Sequence, residues 1–132
     1  MDLNPPAAPD NGLRQLSLGP DIVSRRIEVA DTARRRMKGL LGRDGLEADQ
    51  GLFITPCPSI HMFFMRFAID VVFVTKDLRV VRVFPEVKPW RMARGGRKAK
   101  AVFELPVGTI ERFTIRPGDQ LELVLPEREI DS

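Results

Sequence analysis

The chain has 132 residues, of which 43% are hydrophobic and 30% charged, and its net charge at pH 7 is +3. This length suits one domain, and no apolar run approaches the roughly 20 residues that a membrane-spanning helix needs. The single cysteine excludes an internal disulfide, and the first residues lack the basic and apolar regions of a signal peptide. We therefore expect a cytoplasmic protein with no membrane partner.

The first part of the chain predicts an arm, a strand and a helix. Prolines and glycines interrupt residues 1–20, which we interpret as a flexible N-terminal arm. Residues 22–30 alternate at a period near two, which is typical of a strand. The following apolar residues recur at the spacing of one helical face and predict a helix that ends at Gly42, with a buried face of Ala33, Met37, Leu40 and Leu41. Gly39 inside this helix indicates close packing or an earlier end.

The rest of the chain predicts mainly strands. The predicted elements are strands at 51–55, 69–75, 78–84, 101–105 and 121–125, a basic loop at 91–100 and a short helix within 106–113. We therefore expect a single globular domain over residues 21–126. Its predicted class is α+β and β-rich, with a mostly antiparallel sheet curled toward a small barrel and one or two short helices. The polar residues 127–132 predict a frayed tail.

Residues 56–74 concentrate the unusual chemistry of the chain. They contain the only cysteine, the only histidine, and an aspartate, Asp70, inside an apolar run. A buried carboxylate must be paired or hydrogen-bonded. Arg43, Arg66 or the backbone N–H groups of a tight loop could be its partners. Asp70 is therefore either a residue that closes the turn at 64–69 or part of a site.

Five short motifs in this chain resemble a known family. They are Gly39-Leu-Leu-Gly-Arg, Gly51-Leu-Phe-Ile, Phe64-Met-Arg-Phe-Ala-Ile-Asp, Phe103-Glu-Leu-Pro-Val-Gly and Gly118-Asp. In this order and spacing they resemble domain of unknown function 192, over roughly residues 22–125. The resemblance implies a compact β-rich domain and no established activity. The matching residues are Gly39, Leu40, Arg43, Gly51, Phe64, Met65, Asp70, Glu104, Gly108, Gly118 and Asp119.

Two departures from the family pattern concern the segment before Asp70. The family often has tryptophan where this chain has Phe64, and many members carry a longer Lys-Asn-Thr segment there. Contacts made by that segment are therefore not transferred to this chain.

A candidate ligand site follows from Glu104 and the loop at 61–70. Because Phe103 and Leu105 face the core, Glu104 faces either solvent or a groove. Our leading hypothesis is a non-catalytic binding or interaction module for an unknown small molecule or protein. The candidate ligand-binding residues are Arg43, Phe64, Met65, Arg66, Asp70 and Glu104. The alternative is a small enzyme that uses Asp70 and Glu104 as an acid/base pair.

The basic loop gives a further alternative, binding to nucleic acid. Cations that attract phosphates, beside an aromatic ring that stacks on bases, are the chemistry of single-strand binders. The candidate residues are Lys88, Trp90, Arg91, Arg94, Arg97 and Lys98. The competing interpretation is a solvated loop, with Trp90 turned back as a hydrophobic plug.

Soft metal ligands also lie close together in sequence. Cys57, His61, Met62 and Met65 are of the type that binds copper(I). However, methionine beside phenylalanine is more typical of core packing. Cys57 with His61 as base would need a third group to orient it, and none is evident. We therefore predict no metal site and no cofactor.

Overall fold

The computed structural model describes residues 10–126 as a curled β-sheet with two short helices. Seven strands form one sheet in the order β6-β5-β8-β3-β2-β1-β9, and β4 pairs with β7 in a separate two-stranded sheet. The strands are β1 Leu13–Leu18, β2 Asp21–Ala30, β3 Gln50–Ile54, β4 Ser59–His61, β5 Ile69–Val74, β6 Val80–Val87, β7 Met92–Arg94, β8 Ala101–Leu105 and β9 Leu121–Val124. The helices are α1 Ala33–Lys38 and α2 Thr109–Phe113.

The sheet is mostly antiparallel and closes on itself at one end. Only β2 and β3 pair in parallel, because the connection through α1 is long enough for a crossover. The two edge strands meet where Arg79 bridges Gln120 and the N–H of Val80 donates to the carbonyl of Asp119 at 2.8 Å. The sheet therefore curls into a half-barrel. This architecture confirms the predicted β-rich α+β fold.

Both faces of the sheet are covered. All six residues of β5 are buried, and its side chains alternate between two apolar clusters. Val71 and Phe73 belong to the cluster beneath β4 and β7, which we call the β4/β7 face. Val72 and Val74 belong to the cluster beside α2, which we call the α2 face. A strand buried on both faces explains why this part of the sequence is almost continuously apolar.

The region predicted as an arm differs from the prediction in residues 13–18. These residues form β1, which pairs with both β2 and β9, and Leu16 is completely buried. Gly19 and Pro20 occupy the turn that connects β1 to β2. Gly19 and Pro20, which we interpreted as part of a flexible arm, therefore form a hairpin turn. Residues 1–9 and 127–132 lie outside the described part of the chain, so the arm and the tail stay predictions there.

The helix α1 is shorter and more exposed than predicted. Gly39, with a φ of +47°, ends it before the predicted apolar face is complete. None of the residues of α1 is buried, and Met37 is 81% exposed, so the prediction of a buried helical face was wrong for the helix itself. Of the predicted face only Leu40, which follows the helix, is buried. The predicted basic loop also contains the short strand β7. Neither helix within residues 10–126 is long and apolar enough to cross a membrane.

Candidate functional site

Asp70 is held entirely by backbone N–H groups. Its Oδ1 accepts from Glu86 at 2.9 Å, and its Oδ2 accepts from Gly108 at 3.1 Å and from Ile110 at 2.9 Å. The residue is 1% exposed. These bonds tie β5 to the end of β6 and to the start of α2. Asp70 is therefore held structurally, but it does not close the predicted turn at 64–69: its donors lie at the end of β6 and at the start of α2, and neither predicted arginine is among them.

Asp70 and Glu104 lie on neighbouring strands but on opposite faces of the sheet. The register pairs Asp70 with Leu105, and Val71 with Glu104. Directly paired residues share a face. Asp70 therefore lies on the α2 face and Glu104 on the β4/β7 face. The two carboxylates do not converge, and the arrangement lacks the geometry that an acid/base pair requires.

Glu104 is hidden without a hydrogen-bonding partner. It is 6% exposed, and no group within residues 10–126 donates a hydrogen bond to its carboxylate. Every fully enclosed side-chain polar atom of the described chain does have a partner. The Glu104 oxygens therefore reach solvent through a pocket, which makes them accessible to a ligand.

This pocket lies between α1 and β4 and has a volume of about 270 Å³. We call it the Glu104 pocket. Its walls are largely apolar and include residues from the end of α1 and from β4. The lining residues are Arg36, Met37, Lys38, Gly39, Leu40, Leu41, Ile54, Cys57, Ser59, Ile60, His61, Met65 and Glu104. A Cβ built on Gly39 would lie 3.9 Å from Oε1 of Glu104, so the carboxylate sits directly beneath the end of the helix.

Burial changes the protonation of Glu104. Loss of solvation raises the pKa of its carboxyl from 4.5 to about 7, and the charge of Arg43 opposes part of this rise. Roughly half of the carboxyls are therefore protonated at neutral pH. Arg43 itself forms an ion pair with Glu28. Burial also raises the pKa of the Cys57 thiol, which is the opposite of what an activated nucleophile needs.

The other predicted ligand-binding residues are divided between this pocket and the surface. Met65 lines the Glu104 pocket, and Arg43 influences it through its charge. Arg66 pairs with Asp44 in an exposed ion pair at 2.9 Å. Phe64 is 73% exposed and contacts Trp90, with 4.9 Å between the ring centroids. Arg66 and Phe64 therefore lie outside the pocket.

An exposed group of rings lies beside the start of the basic loop, which Trp90 directly precedes. His61, Phe63, Phe64 and Trp90, which we call the aromatic cluster, pack against one another with centroid distances of 4.7 to 5.9 Å. Trp90 is 59% exposed, so it is not a buried plug. The predicted nucleic-acid cations are also exposed: Lys88, Arg91, Arg94, Arg97 and Lys98. None of the ion pairs within residues 10–126 involves them.

The fold separates one of the four soft metal ligands, Met62, from the other three, which line the Glu104 pocket. Met62 is 1% exposed in the apolar cluster of the β4/β7 face, as core packing predicts. Cys57 Sγ donates to the carbonyl of Ser59, and His61 Nδ1 accepts from the N–H of Phe63. In the part of the chain that the structure describes, no three His, Cys, Asp or Glu residues are grouped to hold a metal ion.

Sequence reasoning missed the helical side of the pocket. Met37 and Leu41 were assigned to the core, yet they are 81% and 37% exposed and line the Glu104 pocket. The one available signal was Gly39, which indicated an earlier helix end. A second cavity of about 340 Å³ lies on the other side of Lys38 and Gly39. Its lining includes Glu28 and Arg43, which neutralise each other.

The fold defines a small β-rich domain with a half-barrel sheet, and this architecture recurs among solved structures. A protein of unknown function from Novosphingobium aromaticivorans has a TM-score of 0.73 and 26% identity, over 90% of this chain and 92% of its own. The curved sheet that positions Glu104 is therefore a recurrent fold.

The family follows from the sequence matches. The model of domain of unknown function 192, described as Uncharacterized ACR, matches residues 16–123, and the chain belongs to this family. A UPF0127 protein of Pyrococcus furiosus is 38% identical over 104 residues, covering 74% of this chain and 87% of the relative. A UPF0127 protein of Thermococcus sibiricus is 35% identical over 109 residues, covering 77% and 68%. These matches confirm the predicted resemblance. The family itself is uncharacterised.

Proposed function

We propose that the domain is a non-catalytic binding module and that its ligand occupies the Glu104 pocket. One observation carries this proposal: a carboxylate that is 6% exposed has no internal partner and opens into a cavity. Buried carboxylates are costly, and in folded proteins they are normally hydrogen-bonded. A ligand that donates to Glu104 would supply the missing bonds.

The chemistry of the pocket favours binding over catalysis. The predicted partner Asp70 lies on the other face of the sheet, bound by three N–H groups. Cys57 has a raised thiol pKa, and its Sγ donates to a carbonyl rather than to a base. A covalent mechanism needs a lowered thiol pKa and an oriented base. The cytoplasmic location stays a prediction.

Methionine methyl NMR tests the proposed site. Met37 and Met65 line the Glu104 pocket, whereas Met62 is enclosed in the core, so a protein labelled at its methionine methyls carries both reporters and a control. We expect members of a library of small polar fragments to shift Met37 and Met65 and to leave Met62 unchanged. If no fragment at millimolar concentration shifts Met37 or Met65, the proposed function is wrong.

Binding of single-stranded nucleic acid is the second candidate. The specific observation is the aromatic cluster, in which Phe64 and Trp90 are exposed and both have positive φ angles of 65° and 71°. Such backbone angles are rare for bulky residues and are concentrated at functional sites. Exposed rings flanked by cations without ion-pair partners within residues 10–126 suit stacked bases and phosphates.

The fluorescence of Trp90, the only tryptophan, reports on this candidate directly. Titration with oligothymidylate should quench it, and the affinity should fall as salt rises, with a logarithmic slope of about −2 for three phosphate contacts. The double variant Arg91→Gln, Arg94→Gln should make this slope shallower. Unchanged fluorescence at low salt would eliminate the candidate and leave the Glu104 pocket unaffected.

A further inference from the structure

Most of the exposed apolar side chains lie on one continuous surface. Of the nine large hydrophobic residues that are exposed within residues 10–126, six belong to it: Met37, Leu41, Phe63, Phe64, Trp90 and Met92. His61 connects the six. It lines the Glu104 pocket together with Met37 and Leu41. It also stacks on Phe63 of the aromatic cluster and pairs directly with Met92 across β4 and β7. We call these six residues and His61 the apolar surface.

The aromatic part of this surface has a fixed backbone. The N–H of Met62 donates to the carbonyl of Arg91, and the N–H of Trp90 donates to the carbonyl of Met62, both at 2.7 Å. Met62 itself is enclosed in the core. The loops that present Phe64 and Trp90 are therefore joined to each other and to the core, so a partner that covers these rings does not have to order them. Large exposed apolar surfaces of this kind are typical of interaction sites.

The Glu104 pocket opens within the apolar surface, between the aromatic cluster and the end of α1. Protein interfaces typically place an anchoring side chain in such a pocket. The apolar walls match an aliphatic stem, and the carboxylate of Glu104, to which no group within residues 10–126 donates, matches a cationic head. Arg43 acts on this carboxylate through its charge but donates its hydrogen bond to Glu28.

An arginine side chain combines the required stem and head. Its guanidinium binds a carboxylate through two parallel hydrogen bonds, and arginine is enriched at protein interfaces whereas lysine is depleted there. Apolar residues beside this arginine would cover the aromatic cluster on one side and Met37 on the other. The cations that flank Trp90, Lys88 and Arg91, favour acidic residues in the same segment.

Other occupants account for less of this arrangement. A nucleic-acid strand would stack on the aromatic cluster, but its phosphates would be repelled by the carboxylate in the pocket. A free small molecule would fill the pocket and leave most of the exposed apolar side chains uncovered. A polypeptide segment with an arginine between apolar residues uses both the pocket and the surface around it.

We infer that the apolar surface is an interface for a partner protein, whose segment inserts an arginine side chain into the Glu104 pocket and packs apolar side chains on the aromatic cluster. The inference rests on the proposed function, because it names the ligand of the same pocket. It also extends the binding site from the pocket to Phe63, Trp90 and Met92.

A random peptide library displayed on phage tests the inference. Selection against the full chain should enrich peptides that share an arginine next to apolar residues. Each enriched peptide is then synthesised with arginine or with citrulline, an uncharged analogue of nearly the same shape. Calorimetry should show that citrulline weakens binding by about tenfold or more, because the charge-assisted pair with Glu104 is lost. The arginine peptide should also shift the Met37 and Met65 methyls and leave Met62 unchanged.

Variants of the protein test the two parts of the interface. Glu104→Gln should weaken the arginine peptide by about tenfold or more and leave the citrulline peptide unchanged. Phe64→Ser, Trp90→Ser should weaken both peptides. Val107→Ser, which removes an exposed apolar side chain outside this surface, is the matched control and should change neither. All variants should keep a cooperative thermal transition, because the replaced apolar side chains are exposed and an amide at position 104 can hydrogen-bond to solvent in the pocket.

The outcomes separate the inference from the proposed function. If no peptide is enriched, or if citrulline or Glu104→Gln leaves binding unchanged, the inference is wrong. A dimer that Phe64→Ser, Trp90→Ser abolishes would assign the surface to a second copy, and quenching of Trp90 by oligothymidylate would assign the rings to nucleic acid; either result overturns the inference. If small fragments shift Met37 and Met65 but no arginine peptide does, the inference fails and the binding function stands. If neither shifts these methyls, both are wrong.

Discussion

Asp70 and Glu104 are two hidden carboxylates on neighbouring strands that serve different purposes. They are 1% and 6% exposed, yet Asp70 accepts three backbone hydrogen bonds and Glu104 accepts none within residues 10–126. The register places them on opposite faces, one against α2 and one beneath the end of α1. Burial alone therefore does not distinguish a structural carboxylate from one available to a ligand. The number of internal donors does.

Removal of the Asp70 carboxylate should have the largest effect on stability. Asp70→Ala leaves the N–H groups of Glu86, Gly108 and Ile110 without their acceptor in a closed environment. We expect the free energy of unfolding to fall by about 4.5 kcal/mol or more, since three bonds to a charged acceptor are lost and each is worth at least about 1.5 kcal/mol. Urea denaturation at pH 7 measures it. A loss below about 1 kcal/mol would mean that these bonds do not organise the fold.

Removal of the Glu104 charge should instead increase the free energy of unfolding above neutral pH. Its folded pKa of about 7 exceeds its ordinary value of 4.5, so its contribution to stability is fully present below pH 4.5 and is lost as the pH rises through 7. Above pH 7, Glu104→Gln should therefore be more stable than the unmodified chain, by at most about 3 kcal/mol. Below pH 4.5 the difference should disappear. Denaturation curves across this range measure it, and a less stable variant above neutral pH would contradict the account.

Two glycines allow a matched test of the backbone around each carboxylate. Gly108 beside Asp70 and Gly39 above Glu104 have φ angles of +98° and +47°, and neither has an atom close enough to clash with a new Cβ. Alanine at either position should therefore cost about 1 kcal/mol through backbone strain alone. The pKa of Glu104 should change in Gly39→Ala, whose Cβ approaches the carboxylate, and stay unchanged in Gly108→Ala. Equal pKa values in both variants would contradict this difference.

The smallest expected effect concerns the reactivity of Cys57. Burial raises the pKa of this half-buried thiol, so the thiolate fraction at neutral pH is small. Alkylation by iodoacetamide should be several-fold slower than that of a free cysteine peptide, and a ligand in the Glu104 pocket should slow it further. Mass spectrometry follows the reaction at the only cysteine in the chain. Faster alkylation than the peptide would show that the thiol is activated.

The sequence predicted what depends on local pattern and missed what depends on distant contacts. Alternation predicted the strands around Asp70 and indicated that Glu104 faces away from Phe103 and Leu105. The donors to Asp70 come from residues 16 to 40 positions away, which no local pattern reveals. Likewise, the apolar spacing through Met37 indicated a buried helix, whereas the turn at Gly39 leaves that side chain exposed in the lining of the pocket.

Titration of the Glu104 carboxyl by carbon-detected NMR tests the central claim most directly. The account predicts a pKa of about 7 in the free protein, because the carboxylate is hidden and lacks internal donors. It also predicts that a ligand that donates hydrogen bonds to the carboxylate lowers this pKa, because such bonds favour the ionised form. A pKa near 4.5 in the free protein would show that Glu104 is an ordinary solvated carboxylate, and this result would contradict the account.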